Sequence, residues 1–365
     1  MDGIPRRRLR PVATTVLVLV ASAAAGCGGS STSTTVRPGP SVRAPVTVQY
    51  APGLTAEVFL PEGIKRAPLV VLVPGGGWYT ADPSGLTGLG AYLAVHGVIA
   101  APTHIRAAQD GVTYPTPVED VLCAVAAVTA QVRSQGFVTN HVAVLGHSSG
   151  AHLAALAVLA PDDYSPSCGS PRVRPDALIG LAGPYDVGAV PDLATVLLGS
   201  SPDDDPAAWA AANPVERAAL RPEVPVLLLH GTADEIVPVD LTSRFATALD
   251  AVGHPTTVRL LSGVDHEAVF GADVAGPPVV RWLAGLPAAA VRPPQHGQGA
   301  RRRRRTGRQP APQAWLRDSS ARTPSARAGP RRTVSRLGHD GRRRRRGMPA
   351  SGTRAGAIRA FTSTR

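Results

Sequence analysis

The sequence predicts an α/β fold, a mostly parallel central sheet with helices on both faces, and three observations carry that prediction. Between residues 46 and 287, short apolar runs alternate with stretches of helical periodicity. Several runs, residues 69–73 above all, are apolar throughout instead of alternating, as strands buried on both faces are. A helical stretch separates most successive runs, which is the crossover that parallel pairing needs. At roughly 240 residues, one domain is the natural count.

Taken in order, residues 46–50 and 56–60 flank Pro52-Gly53 and predict an antiparallel hairpin. Residues 69–73 are the first buried strand, residues 86–96 a helix, and residues 98–101 the next strand. Over residues 118–132, Val121, Leu122, Val125 and Val128 fall on one helical face. Residues 142–145 form another buried strand, followed by an Ala/Leu-rich helix at residues 151–159. Residues 177–181, 226–229 and 257–261 complete the strands, with helices at residues 239–252 and 278–286. Residues 184–225 break this rhythm with Pro191, Pro202, Pro206, Pro214 and Pro222 and the acidic run Asp203-Asp204-Asp205, either as a small cap over a substrate site or as a surface excursion.

The net charge of +12 averages over unlike parts. Residues 291–365 hold 21 Arg, no Lys and 2 Asp, whereas residues 27–290 carry a net −10. The body is acidic, so the total supports no nucleic-acid function. An apolar content of 44% excludes a fibrous or wholly disordered chain. Residues 1–26 read as an export signal: Arg6, Arg7, Arg8 and Arg10 precede a 14-residue, mostly apolar run, too short to span a bilayer. The run ends in Ala24-Ala25-Gly26-Cys27, which resembles a bacterial lipobox with Cys27 as the lipidated residue, although Ala24 stands where leucine is usual. Lipidation would anchor the protein to the outer face of the cell membrane; an ordinary cleaved signal would leave it secreted. Residues 27–45 form a polar and Pro-rich tether. Residues 288–365 read as a disordered tail with two runs of five arginines. Its charge would suit nucleic acid or another polyanion. It lacks aromatic interleaving, however, and its composition better fits GC-rich DNA read out of frame or past a stop.

Gly146-His147-Ser148-Ser149-Gly150 lies between a predicted strand and a predicted helix. That context is what a G-x-S-x-G turn requires if it is to project its central serine, Ser148, with the Ser149 N–H beside it. A serine hydroxyl is a weak nucleophile that needs a base, and the base needs an orienting acid. Asp234 follows the strand at residues 226–229, and His266 follows the strand at residues 257–261. Both therefore belong at the carboxyl edge of the sheet, with Ser148. Glu235 and Asp240 are rival acids. His254 precedes its strand, and His230 is too close to the acid, which leaves His266 as the base. Pro74-Gly75-Gly76-Gly77-Trp78 closes the first buried strand, and Gly76 and Gly77 can offer backbone N–H groups to a developing oxyanion.

Together these residues resemble the α/β-hydrolase superfamily, in its esterase branch with an HGGGW-type oxyanion loop. That branch includes hormone-sensitive-lipase-like, feruloyl and acetyl-xylan esterase-like and kynurenine-formamidase-like enzymes. The resemblance spans residues 46–287 and includes Gly183-Pro184-Tyr185-Asp186 and the stretch His230 to Asp234. It implies a serine carboxylesterase with Ser148, Asp234 and His266 as the triad and Gly76, Gly77 and Ser149 as the oxyanion hole. Its substrate would be a small ester, and it would need no cofactor. Pro74 departs from the family, whose loop begins with a bracing His; His152 reads as structural. A peptidase or amidase of the same superfamily, or a binding protein that kept the fold, are the alternatives. Once Cys27 is assigned to lipid, Cys123 and Cys168 remain, and in an exported protein an even remainder favours a disulfide. No cluster has metal-ligand spacing.

Overall fold

The structure, a computed structural model, describes residues 44–287. The signal segment, Cys27, most of the tether and the Arg-rich tail lie outside the described residues. Strands β1 (Val46–Ala51) and β2 (Leu54–Val58) form the antiparallel hairpin, a two-stranded sheet of its own. Just beyond β2, Phe59 exchanges backbone hydrogen bonds of 2.8 and 3.1 Å with Ala100, which fastens the hairpin to the edge of the main sheet.

That sheet has six strands: β3 (Arg66–Val73), β4 (Ile99–Pro102), β5 (Val138–His147), β6 (Ala177–Leu181), β7 (Val226–Gly231) and β8 (Thr256–Leu261). Their spatial order is β4-β3-β5-β6-β7-β8, and every neighbouring pair is parallel. In β3 the side chains alternate between two separate cores. Leu69, Val71 and Val73 join one core, and Val70 and Leu72 join the other. A strand apolar on both faces is what this arrangement demands. Helix α1 (Thr87–Val95) covers the second face, while α2 (Thr116–Ser134) and α3 (Ser149–Leu159) cover the first. The segment between β6 and β7 contains α4 (Pro191–Leu198), α5 (Pro206–Ala211) and α6 (Pro214–Arg217). Helix α7 (Val239–Ala251) joins the first face and α8 (Ala272–Gly285) the second. Strand β8 is the outer edge, which explains why Val258 and Leu260 stay exposed.

Two elements differ from the sequence expectation. β5 begins at Val138, four residues early, because Arg66 and Ala67 pair with Val138 and Thr139 ahead of the apolar run. α8 begins at Ala272 and carries Pro277 and Pro278 inside it, rather than starting at Pro278. Tertiary packing overrides proline here. Gly276 is pressed against α1 so closely that a Cβ would lie 2.4 Å from the Tyr92 ring. Cys123 of α2 is bonded to Cys168, with Cα atoms 5.5 Å apart, tying that helix to the loop ahead of β6.

From β3 the chain crosses by α1 to β4 on one side, and from β4 by α2 to β5 on the other. The loops leaving β3 and β5 therefore diverge at neighbouring strand ends, Val73 opposite Gly146. A crevice forms beyond the carboxyl edge at such a reversal.

Candidate active site

β5 runs directly into α3 through a single residue, Ser148, whose φ of 51° and ψ of −126° are rare for a side-chain-bearing residue. Such strain costs on the order of 1–3 kcal/mol and persists only where the surroundings enforce it. Two glycines permit the turn by close approach. A Cβ on Gly146 would sit 2.1 Å from the Gly150 carbonyl oxygen, and a Cβ on Gly150 would sit 2.3 Å from that of Pro74. The turn thus packs against the loop leaving β3, with Ser148 projected at the strand end.

The Ser148 hydroxyl lies 2.9 Å from Nε2 of His266, and Nδ1 of the same ring lies 2.7 Å from Oδ2 of Asp234. With Nδ1–H donating to the carboxylate, Nε2 is left to accept the Ser148 proton. Asp234 sits in the loop after β7 and His266 in the loop after β8. Oδ1 of Asp234 accepts the Ile236 and Val237 N–H groups at 2.9 and 2.8 Å. Burial pushes this carboxyl up, but the bonds from His266, Val237 and Ile236 outweigh it and hold it below the ordinary value. His230 fixes the other side of the carboxylate, with Nε2 3.1 Å from Oδ2 and 3.0 Å from the Val237 carbonyl. The Thr242 hydroxyl lies 2.7 Å from its Nδ1, and burial lowers its pKa, so a neutral ring is held in one tautomer.

His147 and His152 flank the turn, and neither faces solvent. His147 donates Nε2–H to the His266 backbone carbonyl at 2.9 Å and packs its ring edge-on against Phe270. Burial first, and the neighbouring His266 second, push its pKa down to about 4. His152, one turn into α3, accepts from Trp78 Nε1–H at 3.2 Å and donates Nε2–H to the Ala212 carbonyl at 2.7 Å. Burial lowers it to about 4 as well.

The loop leaving β3 is folded on itself. The Gly76 carbonyl accepts the N–H groups of both Tyr79 and Thr80 at 3.1 Å. In a trans peptide this turns the Gly77 N–H to the opposite side. Among the described residues, the N–H groups of Gly76, Gly77 and Ser149 donate to no turn or loop carbonyl, and Ser149 opens a helix whose first N–H groups are unpaired by construction. A second layer supports the loop. The Trp78 and Tyr79 carbonyls accept from Ala108 and Gln109, and Arg106 grips Asp120 of α2 with Nη2 at 2.7 Å and Nε at 2.9 Å.

A cleft of about 510 Å³ opens above Ser148, with Gly76, Gly77, Ser149 and His266 in its lining. Leu193 of α4, Ile236 and Phe270 contribute apolar walls, and Asp82 and Glu267 contribute carboxylates. Strand-end loops and an anionic neighbour at a serine–histidine pair are what nucleophilic attack on a carbonyl requires.

Of the residues singled out by sequence, Ser148, His266 and Asp234 come together within hydrogen-bond reach. The rival acids do not: Glu235 is exposed, and Asp240 pairs with Arg244 at 2.8 Å on the surface of α7. His254 is buried between the Val224 and Ala218 carbonyls, before β8. Tyr185 turns away from the cleft and stacks on Phe245 in the core. Sequence reading missed Leu193, Ile236 and Phe270 as cleft walls, His147 and His230 as hydrogen-bonded supports, and the partners of His152, whose structural role it did assign. For His147 the available signal was its place inside the serine motif. For the other two it was a histidine in an otherwise apolar helix and one closing a buried strand.

A family model described as BD-FAE matches residues 56–249, more than half of the chain. The chain belongs to the BD-FAE family. The BD-FAE match runs from β2 through α7, so it contains Ser148 and Asp234 and ends short of His266. Among curated relatives, an esterase of Mycobacterium tuberculosis named LipC is 30% identical over 55% of this chain and 53% of its own length. A probable isoprenylcysteine alpha-carbonyl methylesterase of Oryza sativa subsp. japonica is 28% identical over 59% of this chain and 55% of its own. The chain thus spans about half the length of these relatives. Of solved structures, a truncated carbohydrate esterase from gut microbiota superposes with a TM-score of 0.57 at 18% identity, covering 67% of this chain and 95% of its own. An esterase of Thermogutta terrifontis with propionate bound gives 0.53 at 23% identity, over 68% and 92%. At that identity the likeness is one of fold. With the six-stranded parallel sheet, it makes this BD-FAE chain an α/β-hydrolase fold.

Proposed function

We infer that this BD-FAE chain is a serine hydrolase that cleaves carboxylic esters through an acyl-enzyme on Ser148. The observation that carries the reading is the unbroken hydrogen-bond chain from Asp234 through His266 to Ser148, at 2.7 and 2.9 Å, on the floor of an open cleft. The names of the relatives support esters as the substrate class.

In this reading His266 Nε2 takes the Ser148 proton as Oγ bonds to the ester carbonyl carbon. Asp234 keeps Nδ1–H of the ring oriented and offsets the imidazolium charge. The oxyanion is held by the backbone N–H groups of Gly76, Gly77 and Ser149, each such donor contributing about 3 kcal/mol. The carbon–oxygen bond to the alcohol then breaks, and His266 Nε2–H protonates the leaving oxygen. A water molecule, deprotonated by the same nitrogen, releases the carboxylic acid and restores Ser148.

The enzyme would work outside the cytoplasm, carried there by residues 1–26 and held at the membrane by a lipid on Cys27. The bonded pair Cys123 and Cys168 supports an oxidising compartment. Intact-mass measurement of the mature protein after expression in a lipoprotein-processing bacterium tests this: a diacylglyceryl-modified Cys27 at the N-terminus is expected, and a mass beginning elsewhere rejects the anchor.

Hydrolysis of p-nitrophenyl esters of rising acyl length by wild type and Ser148→Ala tests the chemistry. Wild-type turnover that falls at least about 10⁴-fold in the variant is expected. Equal rates in the two proteins would remove Ser148 from the reaction.

A further inference from the structure

The oxyanion loop raises a question that the triad does not answer. Its first residue is Pro74, which has no side-chain donor or acceptor with which to brace the glycines that follow. The loop's far end, however, is held by a side chain. Trp78 is buried, with a φ of 59° that a tryptophan rarely adopts, so something in its surroundings enforces that conformation. Its indole Nε1–H donates to Nδ1 of His152 at 3.2 Å, and the two rings meet edge to face with centroids 5.2 Å apart. His152 is fully buried on α3, four residues after Ser148. Its other nitrogen donates to the Ala212 carbonyl at 2.7 Å, in the insertion between α5 and α6. At the near end, Gly150 backs onto the Pro74 carbonyl so tightly that no side chain fits between them. Helix α3 therefore pins both ends of the loop, Pro74 through Gly150 and Trp78 through His152, while Gly76 and Gly77 bridge the gap.

We propose that His152 is the positioning residue of the oxyanion hole, holding Gly77 in register with Ser148 through the Trp78 indole and tying that register to the Ala212 segment. The proposal rests on the reading of the site as a serine esterase. Chemistry on the ring fits the role. An acceptor at Nδ1 and a donor at Nε2 together require the neutral Nε2–H tautomer. A proton on Nδ1 would abolish the bond from Trp78, and burial keeps the ring neutral down to a pH of about 4. The brace is therefore constant across the pH range in which a serine–histidine pair works.

The test uses the full chain with His152→Leu, His152→Asn and Trp78→Phe. Leu keeps volume but supplies no acceptor, Asn keeps an acceptor near the Nδ1 position, and Phe keeps the ring but removes the N–H. Misplacing one oxyanion donor should lower kcat by about 10²-fold. His152→Leu is expected to lose kcat on that order with KM within a few-fold, and affinity for a trifluoromethyl ketone should fall in parallel. His152→Asn should recover most of the rate. Trp78→Phe should lose a comparable amount, and the double variant Trp78→Phe, His152→Leu should be no worse than either alone. The pH–rate profile should keep its shape in all of them. In the ¹⁵N-tryptophan spectrum, the Trp78 indole N–H resonance, assigned through Trp78→Phe, should move and exchange faster in His152→Leu. A folded His152→Leu enzyme with wild-type kcat, or a change confined to KM, overturns the proposal. So does a double variant whose losses multiply. A wild type that hydrolyses no ester overturns the reading of the site instead, an outcome distinct from an active wild type matched by His152→Leu.

Discussion

His147 donates its Nε2–H to the backbone carbonyl of His266, 2.9 Å away and 119 residues further along the chain. The residue that precedes the serine thus holds the loop that carries the histidine. Its ring also backs onto Gly75, where a Cβ would come within 2.9 Å of Nδ1. One imidazole therefore touches the elbow, the histidine loop and the oxyanion loop at once.

The first prediction follows from that contact. Replacing His147 by Leu leaves the His266 carbonyl without its donor and frees the loop, and a shift of about 1 Å at the base costs about 10²-fold in rate. His147→Gln keeps an N–H of similar reach and should retain most of kcat. Steady-state kinetics on both variants decide this, and equal rates for Leu and Gln would deny His147 the role.

Stability should fall with acidification in a definite window. Burial lowers His147 and His152 to about 4, against 6.5 for an exposed histidine. An unfolded chain therefore binds these protons first, so the stabilisation is complete above about pH 6.5, is lost as pH falls toward 4, and levels below it. Each ring contributes on the order of 3 kcal/mol to that loss. Asp234, held below its ordinary value of 3.8, adds a further decline at still lower pH. Urea midpoints at pH 7, 5.5 and 4.5 should drop steadily, and the double variant His147→Gln, His152→Asn should flatten the slope. A midpoint constant over this range would contradict the assignment of both rings as neutral.

Gly146→Ala and Gly150→Ala should each abolish the fold or lower its stability by more than about 4 kcal/mol, because the new methyl groups would meet backbone carbonyl oxygens at 2.1 and 2.3 Å. Gly53→Ala, where nothing lies within 4 Å but φ is 74°, should cost only about 1 kcal/mol. Thermal melts of the three variants give the comparison, and near-equal losses would show that the elbow relaxes more readily than its packing implies.

The bond between Cys123 and Cys168 closes a loop of 45 residues' separation, worth about 4 kcal/mol by the loss of unfolded-chain entropy. Cys123→Ser with Cys168→Ser should lower the unfolding free energy by that order while leaving kcat unchanged, since neither residue lines the cleft. A free-thiol assay that counts two additional thiols in the unreduced, unfolded wild type would reject the pairing.

How much of this was legible in the sequence depends on how local the signal is. The sheet was readable because residues such as Leu69–Val73 are apolar on both faces, a property of the run itself. Ser148, Asp234 and His266 were readable because each directly follows a buried run, and a parallel sheet gathers all such loops at one edge. The partners of the supporting histidines were not readable. His147 and His152 bind the carbonyls of His266 and Ala212, which are 119 and 60 residues away, and a carbonyl carries no residue identity. Tyr185 follows β6 at the carboxyl edge, yet stacking on Phe245 draws it into the core, a contact no local pattern announces. Pro278 looked like a helix start, and contact between Gly276 and Tyr92 carried the helix through it.

The central claim is that Ser148 is the nucleophile, and labelling tests it most directly. Full-length protein treated with a fluorophosphonate should gain one adduct by intact mass, and peptide mapping should locate it on Ser148. Ser148→Ala and His266→Gln should take up none on the same timescale. An adduct on any other residue, or a folded and untouched wild type, would contradict the account.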